Sequence, residues 1–352
     1  MTAELRLDLD VMEQNARSMA EQITSLNKHW RPHIKSHCQP RIAQTLVDLG
    51  ACGVTAANVA EVEVMAEAGM PSILLAQLVA ATGDLDRLAA VASRAELLVT
   101  IDHFVHAELF SAAAQRHGIG FRVLVDVDVG MRRTGCRPRV DATQLAVAAG
   151  RLPGVEVVGI MGYEGHLVAV ADAEEKRRGI LESMNALQQT RDEMLRQGVC
   201  CEIVSAGGTG TFSTGGQHSA VTELQAGGGI FGDPFYQQQC GLTGVVPALT
   251  IVAEVVSRPS LVQAVLNCGR KAINPVVHPP HVIGVAGATV EQLSAEHTVL
   301  SLDGDAQDLK IGDAVHLAVG YSDHTLFMHR EIQVYRGERK IDVWPVIRGS
   351  TP

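Results

Sequence analysis

The sequence has no basic surplus to offer a polyanion: Lys and Arg number 29 against 39 Asp and Glu, for a formal net charge of -10. No Lys/Arg run makes a local exception, which excludes nucleic acid and an anionic membrane surface as partners. It also lacks any uninterrupted apolar stretch of about 18 residues, the length a membrane-spanning helix needs. The opening residues Met1-Thr2-Ala3-Glu4-Leu5-Arg6 do not have the basic-then-apolar order of a signal peptide. A soluble, cytoplasmic protein working on small molecules is expected. The 7 cysteines fall at irregular positions without a single C-x-x-C, so neither a disulfide framework nor a structural zinc site is indicated. They read as reduced, mostly buried thiols. There are no repeats and no low-complexity linker.

What the chain does have is 352 residues, 46% of them hydrophobic, enough for a large core and two domains. From about residue 10 to about residue 232, short apolar runs alternate with amphipathic stretches such as Met12, Ala16, Met19, Ile23 and Leu26, whose steps of three and four make a helical stripe. Eight runs are predicted as strands, at Arg31 to Lys35, Gly53 to Ala56, Ile73 to Gln77, Leu97 to Ile101, Phe121 to Asp126, Val155 to Met161, Glu202 to Ser205 and Val221 to Leu224. Eight strands alternating with helices is the count of a (β/α)8 barrel. An open doubly wound sheet reads similarly, but the unusual residues (Lys35, Asn58, Gln77, Asp102 and several glycine-rich turns) all follow strands, where barrel enzymes build their sites. After about residue 240 the pattern becomes short strands: Leu249 to Val256, Gln263 to Asn267, Ala314 to Ala318, Thr325 to Met328, Ile332 to Tyr335 and Ile341 to Val346. The division expected is a barrel over residues 1–235 and a β-rich domain over 236–352.

Five strand-end segments carry candidate chemistry. Lys35 lies in Arg31-Pro32-His33-Ile34-Lys35-Ser36-His37; a loop lysine is usually just solvated, but cationic and desolvating neighbours such as His37 free an amine for imine formation. Ser205-Ala206-Gly207-Gly208-Thr209-Gly210-Thr211 follows the seventh strand and Gly227-Gly228-Gly229 the eighth. Backbone N–H groups of glycines and the hydroxyls suit an anion, and barrels commonly hold a phosphate there; the alternative is two flexible turns. Arg133, after the fifth strand, and Tyr163, after the sixth, are placed to face a barrel mouth, although Arg133 also fits a charged turn and Tyr163 core packing.

The segments Arg31 to His37, Asp128 to Gly135, Gly162 to His166, Ser205 to Thr211, Thr222 to Leu224 and Trp344-Pro345-Val346 resemble the D-threonine aldolase and D-serine dehydratase family. That family belongs to the alanine-racemase-like, fold type III pyridoxal-phosphate enzymes. The resemblance implies a barrel, a C-terminal β domain, a head-to-tail homodimer and pyridoxal 5'-phosphate. It implies a Schiff-base lysine at Lys35 with His37 beside it, Arg133 near the pyridine nitrogen, Tyr163 against the ring, and phosphate donors from Gly207, Gly208 and Thr209, with Ser205 and Gly228 in the same cofactor set. Two departures stand out. The family usually carries a divalent metal on a His-x-Asp or His-x-Cys pair; here the matching stretch is Gly320-Tyr321-Ser322-Asp323-His324-Thr325, so Asp323 remains as a metal-ligand candidate while Tyr321 replaces the histidine. Gly228-Gly229 stands where relatives often have a small residue followed by tyrosine.

The function implied is a lyase on D-configured β-hydroxy amino acids, splitting them into glycine plus an aldehyde. The alternatives are a D-serine or D-hydroxyaspartate dehydratase, an amino-acid racemase with Tyr321 as second base to Lys35, and a non-enzymatic cofactor carrier.

Overall fold

In the computed structural model, which describes residues 3–348, eight strands lie parallel in one sheet. Strand β1 (Glu4–Asp8) and helix α1 (Leu9–Ser25) come first, and the eight are β2 (His29–Trp30), β3 (Val54–Ala56), β4 (Ser72–Leu75), β5 (Glu96–Ile101), β6 (Phe121–Asp126), β7 (Val155–Met161), β8 (Ile203–Ala206) and β9 (Glu223–Leu224). Their order runs from β3 up to β9 and on to β2. A parallel bridge from His33 to Thr55, with Ile34 N–H donating to Thr55 O and Thr55 N–H to Pro32 O at 2.9 Å each, joins the continuation of β2 to β3 and closes the barrel. Every residue of β3 and β4 is buried, as is all of β5 after Glu96; parallel strands covered on both faces read as continuous apolar runs. The (β/α)8 barrel expected from the sequence is therefore present.

The chain separates into two compact units, residues 20–227 and residues 3–19 with 228–347. The second unit is a nine-stranded sheet of β1, β10 (Leu249–Ser260), β11 (Gln263–Leu266), β12 (His281–Ile283), β13 (Ala288–Leu293), β14 (Thr298–Leu302), β15 (Ala314–Ala318), β16 (Glu331–Arg336) and β17 (Arg339–Pro345). Strand β1, which the sequence reading passes over, lies between β10 and β16, antiparallel to the first and parallel to the second. Its Leu5 and Leu7 point inward while Glu4, Arg6 and Asp8 are half-buried, the alternation of a half-buried strand.

Two expected strands are corrected. In place of Arg31 to Lys35 the first barrel strand is His29–Trp30, followed only by the isolated His33 bridge. Thr325 to Met328 is not extended: Ser322–Thr325 is a helical turn and Leu326–Met328 a 3-10 turn. The Asp233 carboxylate accepts from both the Ser322 N–H, at 2.8 Å, and the Ser322 hydroxyl, at 2.7 Å, holding the turn at its start. A short apolar run is ambiguous between strand and buried helix, and here the local capping decides. No disulfide links the cysteines among the described residues; Cys38, Cys201 and Cys268 are buried, Cys52, Cys136 and Cys240 half-buried, and Cys200 exposed. No helix among the described residues is long and apolar enough to cross a membrane.

Candidate active site

Lys35 begins the turn that follows the His33 bridge, before Pro40 starts the helix α2 (Pro40–Asp48). Its side chain is exposed, and its backbone N–H donates to His33 Nδ1 at 3.3 Å. Burial holds the His33 imidazole well below its usual pKa, and the charges of Lys35, His37 and Arg133 press it further down. A neutral imidazole thus stands beside the lysine. His37 is fully buried, its Nδ1 accepts the Gln39 N–H at 2.8 Å, and burial pushes its pKa down to about 3. A ring so placed shapes the entry into α2. Asn58, another strand-end residue, is occupied as a helix cap: its side chain accepts from Glu61 N at 2.9 Å while Glu61 Oε2 accepts from Ala57 N, a capping-box arrangement.

Beyond β6 the chain turns around Asp128, whose Oδ1 accepts the N–H groups of Gly130 at 2.9 Å and Arg132 at 3.0 Å. Thr134 Oγ1 donates to Asp126 Oδ2 at 2.8 Å, and Gly135 N–H to Asp102 Oδ2 at 3.0 Å. Burial raises Asp126 to about 6, against the Thr134 bond. So anchored, the turn presents Arg133 with its guanidinium carbon 5.8 Å from the centre of the Tyr163 ring, within cation–π range. Arg133 and Tyr163 are brought together as the sequence suggests.

The glycine turn after β8 meets the same ring. A Cβ on Gly208 would lie 2.8 Å from Tyr163 Cε2, and Gly207 takes φ +74; close approach and left-handed backbone both require glycine. Thr211 Oγ1 accepts the Gly208 N–H at 3.2 Å. Thr209 is buried in this turn.

Ser205 sits elsewhere, in a buried polar network that sequence reasoning missed. Its hydroxyl donates to Glu223 Oε1 at 2.8 Å and accepts from Gln225 Nε2 at 2.9 Å; Glu223 Oε2 accepts from Arg31 Nε at 2.8 Å, and Arg31 donates on to Ser72 Oγ at 2.8 Å. Burial works against the charge of Arg31, but the adjacent Glu223 carboxylate prevails and raises its pKa. A charged residue inside each of two otherwise apolar strand runs was the signal available. With both its bonds made inside the barrel, Ser205 acts on the glycine turn only through the β8 backbone.

In the other unit, Tyr321 O–H donates to Asp323 Oδ2 at 3.0 Å. The ring of Tyr321 packs edge-on against Phe235, Tyr236 and His324, with centroids 5.4, 5.8 and 5.0 Å away. Gly228 lies beneath Tyr236: a Cβ there would be 3.1 Å from the phenol oxygen. Burial raises Asp233 to about 8 despite its two bonds from Ser322. Tyr236 is held well above its usual pKa by burial, with Asp323, Tyr321 and Asp233 adding to it.

Residues 7–234 match the alanine racemase N-terminal domain family, and residues 248–335 match a putative serine dehydratase domain. The chain is 30% identical to the D-threonine aldolase of an Arthrobacter species over 98% of its own length and 92% of that protein's. The chain belongs to the alanine-racemase-like family that includes D-threonine aldolase. It is also 29% identical to the 3-hydroxy-D-aspartate aldolase of Paracoccus denitrificans strain Pd 1222, over 97% of this chain and 90% of the relative. The crystal structure of D-threonine aldolase from Filomicrobium marinum superposes with a TM-score of 0.92 at 31% identity, covering 98% of this chain and 94% of that one. Matches to both domains set this alanine-racemase-like chain apart from carriers that resemble the barrel alone.

The stretch that the resemblance aligns with a metal pair, Tyr321 and Asp323, lies at the start of a helical turn, and the Tyr321 phenol covers one oxygen of the Asp323 carboxylate. Among the described residues no group of three or more His, Cys, Asp or Glu gathers closely enough to hold a metal ion. The ring of His278 stacks on His281 with centroids 5.1 Å apart, and its Nδ1 lies 2.8 Å from Pro279 O. One carboxylate and a neutral phenol are a poor donor set for a divalent cation.

Proposed function

We propose that this chain is a pyridoxal-phosphate-dependent lyase that cleaves the Cα–Cβ bond of D-configured β-hydroxy amino acids, giving glycine and an aldehyde. The observation that carries the reading is the likeness to D-threonine aldolases at about 30% identity along nearly the whole chain. The residues present fit the cofactor. Lys35 supplies the amine for covalent attachment, beside a neutral His33; Arg133 and Tyr163 form a cation-and-ring pair for the pyridine; and the turn from Gly207 to Thr209, where Gly208 has no room for a side chain, suits the phosphate. When bound, the cofactor supplies the electron sink for negative charge at Cα.

The protein's own groups do the rest. Arg133, a permanent cation, disfavours a proton on the pyridine nitrogen and so moderates the sink. Cleavage needs a base for the β-hydroxyl proton; the chain's candidate is the Tyr321–Asp323 pair, in which Tyr321 takes that proton as its own hydroxyl proton passes to Asp323 Oδ2, 3.0 Å away. The Cα–Cβ electron pair stays with Cα, the aldehyde departs, and Lys35 Nζ returns a proton to Cα. His37, buried and held to the Gln39 N–H, moves no proton; it sets the turn that aims Lys35. We also place the enzyme in the cytoplasm, as a homodimer binding a small amino acid. Incubation with D-threonine should yield glycine and acetaldehyde in equal amounts. A keto acid and ammonia would instead make it a dehydratase, and L-allo-threonine, inverted at Cα alone, a racemase.

Two further outcomes follow. Thr209→Val should weaken binding of the cofactor by about 1.5 to 3 kcal/mol, the usual loss for a hydrogen bond to a charged group; titration of the apoenzyme checks it, and unchanged affinity removes the turn from the phosphate site. Because the donors around Asp323 are so few, activity should survive EDTA. Complete loss with recovery on stoichiometric manganese or zinc would show that Tyr321 has been misjudged.

A further inference from the structure

Glu164 lies between the ring-packing Tyr163 and Gly165 and is completely buried. Its Oε1 accepts from Thr211 Oγ1 at 2.5 Å. The other oxygen, Oε2, is buried with no hydrogen-bond partner. The carboxyl therefore holds the Thr211 end of the turn from Gly207 to Thr211, and Thr211 Oγ1 passes the constraint on by accepting the Gly208 N–H.

The geometry points to Glu164 as the residue that shapes this turn into a phosphate cradle, a positioning residue acting through Thr211; the inference rests on the turn being the cofactor's phosphate site. Three of the five residues, Gly207, Gly208 and Gly210, are glycines, which have the most backbone freedom to lose on ordering. An anchor at the Thr211 end, passed on to the Gly208 N–H, helps order such a turn before the anion arrives, and preorganisation of this kind raises affinity without touching the ligand. Packing alone would not call for a carboxyl here, since an apolar side chain fills a buried site without the desolvation cost of a polar one. Burial pushes the carboxyl's pKa up, against the bond from Thr211. Held toward its neutral form, it also spares a nearby phosphate the repulsion of a second anion.

The test measures binding of pyridoxal phosphate and of pyridoxal, which lacks the phosphate, to the apoenzyme by fluorescence quenching, alongside thermal denaturation. Glu164→Ala should weaken pyridoxal phosphate by about tenfold or more while pyridoxal stays within about twofold, and Glu164→Gln, which keeps an acceptor oxygen and the neutral shape, should return to within about threefold of the parent. If Glu164→Ala does not fold, Glu164→Asp, which withdraws the carboxyl by one methylene, should show the same selective loss. Equal loss of both ligands, no loss of either, or no rescue by Glu164→Gln in a protein of unchanged thermal stability would each overturn the assignment. Thr209→Val separates the two levels. If it weakens pyridoxal phosphate while the Glu164 variants do not, Glu164 is misassigned and the phosphate site stands; if none of the variants matters, the phosphate site itself is misplaced.

Discussion

Lys35→Ala should remove both the visible absorbance of the bound cofactor and all detectable cleavage of D-threonine. The argument is one of elimination by position. The chain has six lysines, and Lys35 alone follows a barrel strand at its C-terminal end, where sites on this fold are built. Lys28 precedes β2 and donates to the carbonyls of His218 and Val221, at 3.1 and 2.6 Å. Lys176 reaches Val168 O from a helix, and Lys271 pairs with Glu296 in the other unit. Lys310 and Lys340 also belong to that second unit. Nothing else can take over the covalent role, and arginine at position 35 keeps the charge without a nucleophilic amine, so Lys35→Arg should be as inactive as Lys35→Ala. Retention of the absorbance in either variant would place the attachment elsewhere.

Glu223→Ala should destabilise the protein by about 3 to 5 kcal/mol, the cost of leaving a buried charge without its partner. Arg31 and Glu223 are 2.8 Å apart with side chains 6% and 5% exposed, so water cannot replace the lost carboxylate, and Ser205 and Gln225 lose their shared acceptor chain as well. The paired substitution Arg31→Met with Glu223→Leu should recover most of the loss, because a buried ion pair is readily matched by apolar residues of similar volume. Urea denaturation of the three forms checks both statements. Equal stability of Glu223→Ala and the parent would mean that Arg31 finds solvent or another acceptor.

What the sequence made legible, and what it hid, follows from the range of the interactions. The barrel strands were readable because burial on both faces leaves whole apolar runs; Phe121–Asp126 and Val155–Met161 match to the residue. Strand β1 was also written locally, in the alternation of Glu4 to Asp8, but its partners, β10 and β16, come more than 240 residues later in the chain. The segment Thr325 to Met328 was misread as a strand because the contact that fixes the turn before it, from Ser322 to the carboxylate of Asp233, spans 89 positions. Lys35, Arg133, Tyr163 and the glycine turn could be singled out as candidates because residue type and strand end coincide. Ser205 was read as a donor beside the phosphate, yet it belongs to a network formed with Arg31 and Glu223, which only closure of the barrel brings together. Glu164 went unnoticed for the opposite reason. A carboxylate in an otherwise polar turn draws no attention until its complete burial is known.

The central claim is that Lys35 carries pyridoxal phosphate at the mouth of this barrel. Reducing the cofactor-loaded protein with borohydride, digesting it and mapping the modified peptide by mass spectrometry tests that directly. The account predicts the reduced cofactor on Lys35, within the peptide that contains His33 and His37. Its appearance on any other lysine, or an unmodified Lys35 in a protein that still cleaves D-threonine, would contradict it.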